Sequence, residues 1–201
     1  MDPKPRLAVI YGSTRSSRFV EKPGRWIADR ARAFGAWDVE VLDLAEIDLP
    51  FFDEATSNLW APSKDPNAVA WQKKLAMFDA FVFVTPEYNR SITGALKNAL
   101  DQAYVEWVRK PMAIVGYGMT GASRAAEHLR TIAIELQMVP IRFGVHIQGE
   151  SFLKVHPMGG GGEMSEIEAA IAPSADAMLT DLAWWTKVTA DARAEARAEA
   201  A

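Results

Sequence analysis

Three short segments of this chain carry the residue types that chemistry needs. The first is Gly12-Ser13-Thr14-Arg15-Ser16-Ser17-Arg18, set between a brief apolar run and a helical pattern. Such a run suits an anion. Glycine lets the backbone turn, Ser and Thr donate hydrogen bonds, Arg adds charge-assisted bidentate ones, and a helix N-terminus offers unpaired N–H groups and its positive dipole end. A plain polar helix cap would use the same hydroxyls, but two guanidiniums exceed what a cap needs. The second segment runs from Thr85 through Pro86, Glu87, Tyr88, Asn89 and Arg90 to Gly94 and then opens a helix. Pro86 restricts the backbone, while Glu87, Tyr88 and Asn89 present successive backbone and side-chain groups suited to the edge of a flat heterocycle. An Asx turn before a capped helix is the plainer alternative. The third, Gly116-Tyr117-Gly118-Met119-Thr120-Gly121, satisfies G-x-G-x-x-G by letter. As a dinucleotide fingerprint it sits in the wrong βα unit, and Arg142-Phe143-Gly144 stands where the ribose-binding acid would be needed. Its glycines are expected instead to let the backbone approach a ligand shared with the second segment.

Other chemistries find little support. His128, His146 and His156 lack metal-ligand spacing and are expected to be packing or surface residues, so no metal site is expected. Nucleophile-elbow and Walker A sequences are absent, and no acid follows the first strand as a response-regulator receiver would require. The chain has no cysteine, which removes disulfides and thiol nucleophiles and fits a reducing compartment. With 22 basic and 26 acidic residues its net charge is −4, which argues against nucleic acid or an anionic membrane as a partner held by bulk charge. The first apolar run, 7–11, is far too short for a signal-peptide core or a membrane span, so cytoplasmic localisation is expected.

The elements that must position the three segments alternate. Short β-rich apolar runs over 7–11, 39–42, 80–85, 112–116 and 141–147 alternate with amphipathic patterns over 23–34, 67–78, 93–108, 122–137 and 164–189. That pattern predicts an α/β fold, a parallel sheet with helices on both faces. In such sheets ligands sit beyond the carboxyl ends of strands, where all three segments fall. With 201 residues and 49% apolar composition, one domain over 1–189 is expected. The tail, 190–201, is rich in alanine, but Asp191/Glu195 and Arg193/Arg197 place like charges four apart, so fraying is expected there. Two irregular stretches, 49–66 and 148–164, are long enough to suggest functional loops.

Taken together, TPEYNRSITGALKNALD at 85–101, GSTRSSR at 12–18, LPFFDE at 49–54 and KPMAIVGYG at 110–118 resemble the NADPH-dependent FMN reductases, a flavodoxin-like family that includes quinone, azo-dye and chromate reductases. The resemblance covers 6–150 by motif and extends more loosely to 189. It implies a doubly wound five-stranded parallel sheet of order 2-1-3-4-5. It implies that Ser13, Arg15 and Arg18 hold the FMN phosphate, with Thr14 and Ser17 as further donors. Pro86, Glu87, Tyr88 and Asn89 would line the isoalloxazine and bond its edge, with Tyr117 and Gly118 closing the other side. The activity implied is ping-pong hydride transfer from NADPH or NADH through FMN to a quinone-like or other small acceptor, with no catalytic side chain. The alternative is a flavodoxin-like FMN electron carrier without its own NAD(P)H reaction; a flavin-free adaptor is a third reading. The two arginines favour the reductase, since typical flavodoxins use an uncharged, hydroxyl-rich phosphate loop. A homodimer or homotetramer is also implied, with Tyr104, Trp107 and the third helix as expected contacts.

Overall fold

The computed structural model describes residues 4–199. Strands β1 (Arg6–Tyr11), β2 (Asp38–Asp43), β3 (Ala80–Pro86), β4 (Pro111–Tyr117) and β5 (Val139–Pro140) form a parallel sheet of order β2-β1-β3-β4-β5, and β6 (Val145–Ile147) also pairs with β4. The expected doubly wound order is therefore present. Helices α1 (Glu21–Phe34) and α6 (Glu168–Glu199) cover one face, and α2 (Pro66–Ala76), α3 (Gly94–Asp101) and α4 (Ser123–Glu135) cover the other.

Although β1, β3 and β4 are apolar throughout, their alternate residues serve different cores, because successive strand side chains point to opposite faces. Leu7, Val9, Val82, Val84 and Val115 pack with Ile27, Ala31, Met178 and Leu182; Ala8, Ile10, Phe81, Phe83 and Ile114 pack with Trp71, Leu96 and Leu129.

Several boundaries differ from expectation. Of the strand expected over 141–147 only Val145–Ile147 is extended; the other short piece, Val139–Pro140, precedes that range, and Ile141–Gly144 between them is irregular, Pro140, which has no N–H, ending the first. Helix α3 stops at Asp101 rather than near 108, because side chains of α2 and of the 49–66 loop take up backbone groups the helix would need. Gln72 Nε2 donates to the Gln102 carbonyl at 2.6 Å, and the Tyr104 N–H donates to Asn58 Oδ1 at 2.8 Å. Helix α6 runs through Glu199, past the boundary at 189 where fraying was expected. Arg193 tethers it, donating to Asp79 and to the Arg109 carbonyl, each at 2.7 Å, and Lys187 pairs with Asp191. Positions 200 and 201 of that tail, and 1–3 of the expected domain, lie outside the described residues.

Trp107 is not available to a partner chain. It is fully buried, 4.8 Å from Phe81 and 6.0 Å from Phe83 between ring centroids, and its indole N–H donates to Leu100. Trp107→Ala is expected to cost about 3–5 kcal/mol, as a large core truncation does. Chemical denaturation would show it; a variant as stable as the parent would contradict this placement.

Candidate functional site

The carboxyl ends of β1, β3 and β4 converge on a cavity of about 360 Å³. Its lining includes Ser13, Arg15, Ser17, Arg18 and Phe19 from the first loop, Pro86, Glu87 and Tyr88 from the second, and Tyr117, Gly118 and Met119 from the third. The expected site residues other than Thr14 and Asn89 thus meet there; Thr14 lines a separate cavity with Leu49, Phe51 and Asn98, and Asn89 occupies the turn beside the site. A larger groove, about 640 Å³, lies between α6 and the start of β1, but that is the amino end of the strands, away from where doubly wound sheets bind ligands.

Thr93 ties the first two loops together. As the cap of α3 it accepts from the Leu96 N–H at 3.0 Å, and its hydroxyl donates to the Gly12 carbonyl. Tyr88 and Ser91 exchange backbone hydrogen bonds of 2.9 and 3.0 Å around Asn89 and Arg90, whose φ values are 50° and 70°. Two consecutive left-handed residues make a tight primed-type hairpin turn. Asparagine tolerates that conformation, whereas arginine there stores about 1 kcal/mol of strain.

The two arginines are placed differently. Arg18 is engaged on every donor nitrogen: Nε on Glu21, Nη1 on Asp43 and the Ser13 carbonyl, Nη2 on Asp43 at 2.5 Å. Arg15 is exposed and makes only long contacts, 3.4 Å to the Tyr88 hydroxyl and 3.3 Å to Ser17 Oγ. A guanidinium so loosely held is available to an incoming anion.

Ser13 is 1% exposed, and its hydroxyl meets those of Tyr88, at 3.5 Å, and Tyr117. Burial pushes the Tyr117 phenol well above its ordinary value, so it remains a neutral hydroxyl. Glu87 points elsewhere. Its carboxylate accepts from the N–H groups of Arg124 and Ala125, at 3.1 and 3.4 Å, and from the Arg124 guanidinium at 2.5 Å. Helix α4 has no side-chain cap of its own at Ala122, so Glu87 caps it from across the sheet edge. Glu87→Ala is expected to cost about 1–2 kcal/mol, with flavin affinity falling as the loop loses its anchor. Thermal unfolding with and without ligand measures both, and an unchanged melting temperature would count against the cap.

Some backbone donors expected to face a ligand are spent. The Tyr88 N–H goes to Ser91 and the Gly118 N–H to Ile147 at 3.1 Å, whereas those of Glu87 and Asn89 have no backbone acceptor among the described residues. The glycine motif also divides. A Cβ at Gly116 would stand 2.3 Å from the Gly121 carbonyl oxygen, and one at Gly121 2.8 Å from His146 Cβ, so both are required by packing. Gly118, at φ +138°, alone opens on space with nothing within 4 Å of an added Cβ.

Sequence reasoning missed one wall. Helix α5 (Gly149–Val155) and the turn after it contribute Phe152, Leu153, His156 and Met158 to the cavity. The histidine expected at the surface or in packing is at the site, 5.0 Å from Phe19 between ring centroids. Only the unusual length of the 148–164 stretch hinted at this, since no local spacing marks the residue. Among the described residues, no group of three or more His, Asp or Glu could hold a metal ion, and no helix is long and apolar enough to cross a membrane.

A sheet of this order, with its cavity at the switch point, defines the flavodoxin-like class. Residues 5–150 match the NADPH-dependent FMN reductase family. An NAD(P)H-dependent FMN reductase of Schizosaccharomyces pombe is 37% identical over 136 residues, covering 67% of this chain and 68% of its own. A 2-hydroxy-1,4-benzoquinone reductase of a Burkholderia species is 32% identical over 145 residues, covering 67% and 73%. Among solved structures, the flavoenzyme NAD(P)H:(acceptor) oxidoreductase FerB of Paracoccus denitrificans superposes with a TM-score of 0.67 at 24% identity, covering 92% of this chain and 98% of that one; it speaks to fold. The chain belongs to the NADPH-dependent FMN reductase family, and so to the FMN- and NAD(P)H-dependent oxidoreductases.

The cavity fits FMN on its own geometry. One end presents the Ser13 and Ser17 hydroxyls with a loosely held guanidinium, chemistry for a phosphate; the other presents open N–H groups and the bare face of Gly118, chemistry for the edge and plane of a heterocycle.

Proposed function

We propose that the protein passes hydride equivalents from NADPH or NADH to a quinone or similar small acceptor, the two substrates taking turns in this cavity. The observation that carries the reading is the pairing, in one open cavity, of a loosely held guanidinium at Arg15 with the Pro86–Tyr88 loop and the bare face of Gly118. Bound FMN supplies the two-electron chemistry. Ser13, Arg15 and Ser17 bind its phosphate. Arg18 holds their loop in shape through Asp43 and Glu21. Pro86 to Asn89 orient the ring and bond its edge through the Glu87 and Asn89 N–H groups, which also steady negative charge developing there. Tyr117 and Phe19, 5.4 Å apart in an edge contact, keep water from the inner side, and Gly118 lets the ring lie against backbone. No side chain acts as nucleophile or metal ligand in this scheme.

The quinone-type acceptor is supported by the Burkholderia relative, whose name states such a substrate. We place the site in one flavodoxin-like domain over 1–189, assign the protein to the cytoplasm, and assign it a homodimeric or homotetrameric state. Exposed Phe51 (87%) and Trp60 (79%) on the 49–66 loop favour association, since large aromatic rings in water mark contact surfaces.

Anaerobic visible spectroscopy of the FMN-loaded protein tests the reading. Flavin bands that bleach fully in one two-electron step on adding NADPH or NADH are expected. Bands that persist with both donors would favour the FMN electron carrier, and a protein that takes up no FMN would overturn the site itself.

A further inference from the structure

The family match ends at residue 150, but the cavity does not. Its remaining wall comes from α5 and the glycine-rich turn behind it, which folds back tightly on the helix. The Gly160 and Gly162 N–H groups donate to the Leu153 and Lys154 carbonyls, both at 2.9 Å, and Lys22 of α1 clamps the Gly161 and Gly162 carbonyls at 3.0 and 2.8 Å. A Cβ at Gly159 would stand 2.1 Å from the Leu153 carbonyl oxygen, so a larger residue would push the turn off the helix.

This turn orients His156. The Met158 N–H donates to its Nδ1 at 3.1 Å, which puts the ring proton on Nε2, and the imidazole centroid lies 4.6 Å from that of Phe152 and 5.0 Å from that of Phe19. Nε2–H is left as the ring's one polar group without a partner among the described residues, on a side chain that lines the same cavity as Arg15 and Ser17. Burial and the Arg15 charge push the imidazole below its ordinary pKa. At neutral pH the ligand-free protein therefore presents a neutral donor that does not repel the guanidinium.

We propose that His156 Nε2–H is a further side-chain donor, beside Arg15, Ser13 and Ser17, to the phosphate of bound FMN, supplied by a part of the chain outside residues 5–150 that match the family. The proposal rests on the flavin reading above. A phosphate on the nicotinamide dinucleotide has the same chemistry, so the test separates the two sources.

The test titrates the flavin-freed full chain with FMN and with riboflavin, which lacks the phosphate, following flavin fluorescence. His156→Phe keeps the contacts with Phe19 and Phe152 but removes the donor, and His156→Gln restores an N–H. For His156→Phe the FMN Kd is expected to rise about 10- to 100-fold, the scale of one lost hydrogen bond to a charged group, with the riboflavin Kd unchanged. His156→Gln is expected to recover part of that loss. Equal weakening of both flavins would reduce His156 to wall packing and overturn the proposal. So would an unchanged FMN Kd accompanied by a raised KM for NADPH but not NADH, which would assign the donor to the dinucleotide. Failure of the unsubstituted protein to bind FMN is a separate result and would sink the flavin reading instead.

Discussion

Arg15→Ala is expected to weaken FMN binding about 10- to 100-fold, the scale of one charge-assisted anion contact, while leaving the stability of the flavin-free chain nearly unchanged. Arg15 makes no short contact within the protein, so the fold loses little with it. Arg18→Ala is expected to behave the other way. Its side chain and that of Asp43 are each 12% exposed, and removing the guanidinium leaves Asp43 with an unpaired, largely buried charge. The expected cost is about 2 kcal/mol of stability, with FMN affinity falling only as the loop loosens. Fluorescence titration with FMN and thermal unfolding without it separate the two effects. If Arg18→Ala abolished FMN binding at unchanged stability while Arg15→Ala had no effect on affinity, the division of labour drawn from this geometry would be wrong.

Gly118→Val carries the second large effect. At φ +138° only glycine is comfortable, so the valine costs about 1–3 kcal/mol in backbone strain and projects its side chain into the space where the heterocycle would lie. FMN affinity is expected to fall by about two orders of magnitude or more, since lost ring contact and blocked volume add to the strain. The protein should still fold, because nothing lies within 4 Å of the added Cβ. Gly116→Ala gives the contrasting result, a loss of stability from a Cβ 2.3 Å from a backbone oxygen. The flavin absorbance of each purified variant, with circular dichroism as the control on folding, distinguishes them. A Gly118→Val protein with the parent's FMN content would place the ring elsewhere.

Much of this was legible in the residues. Continuous apolar runs such as Ala80–Pro86 can only be buried on both faces, which requires helices on both sides of a parallel sheet, and the three chemical segments each follow such a run. Their meeting at one place follows from the fold, because the carboxyl ends of neighbouring parallel strands lie side by side.

What the sequence alone determined, then, was the alternation of strands and helices, the family, and the loops that carry the site. Each is written in local periodicity or in a contiguous motif. Tertiary structure decided which members of those loops are free to face the cavity and which are committed to the fold. Arg15 and Arg18 are three positions apart and alike in type, but only the carboxylates of Asp43 and Glu21 commit one of them to the fold. Glu87 sits within the most specific motif, yet Arg124 and the uncapped end of α4 claim its carboxylate. His156 reaches the cavity only because the glycine turn folds against α5 and Lys22 holds it there. A side chain's partner is set by whatever the rest of the chain brings within hydrogen-bond reach, and no spacing within a single segment encodes that.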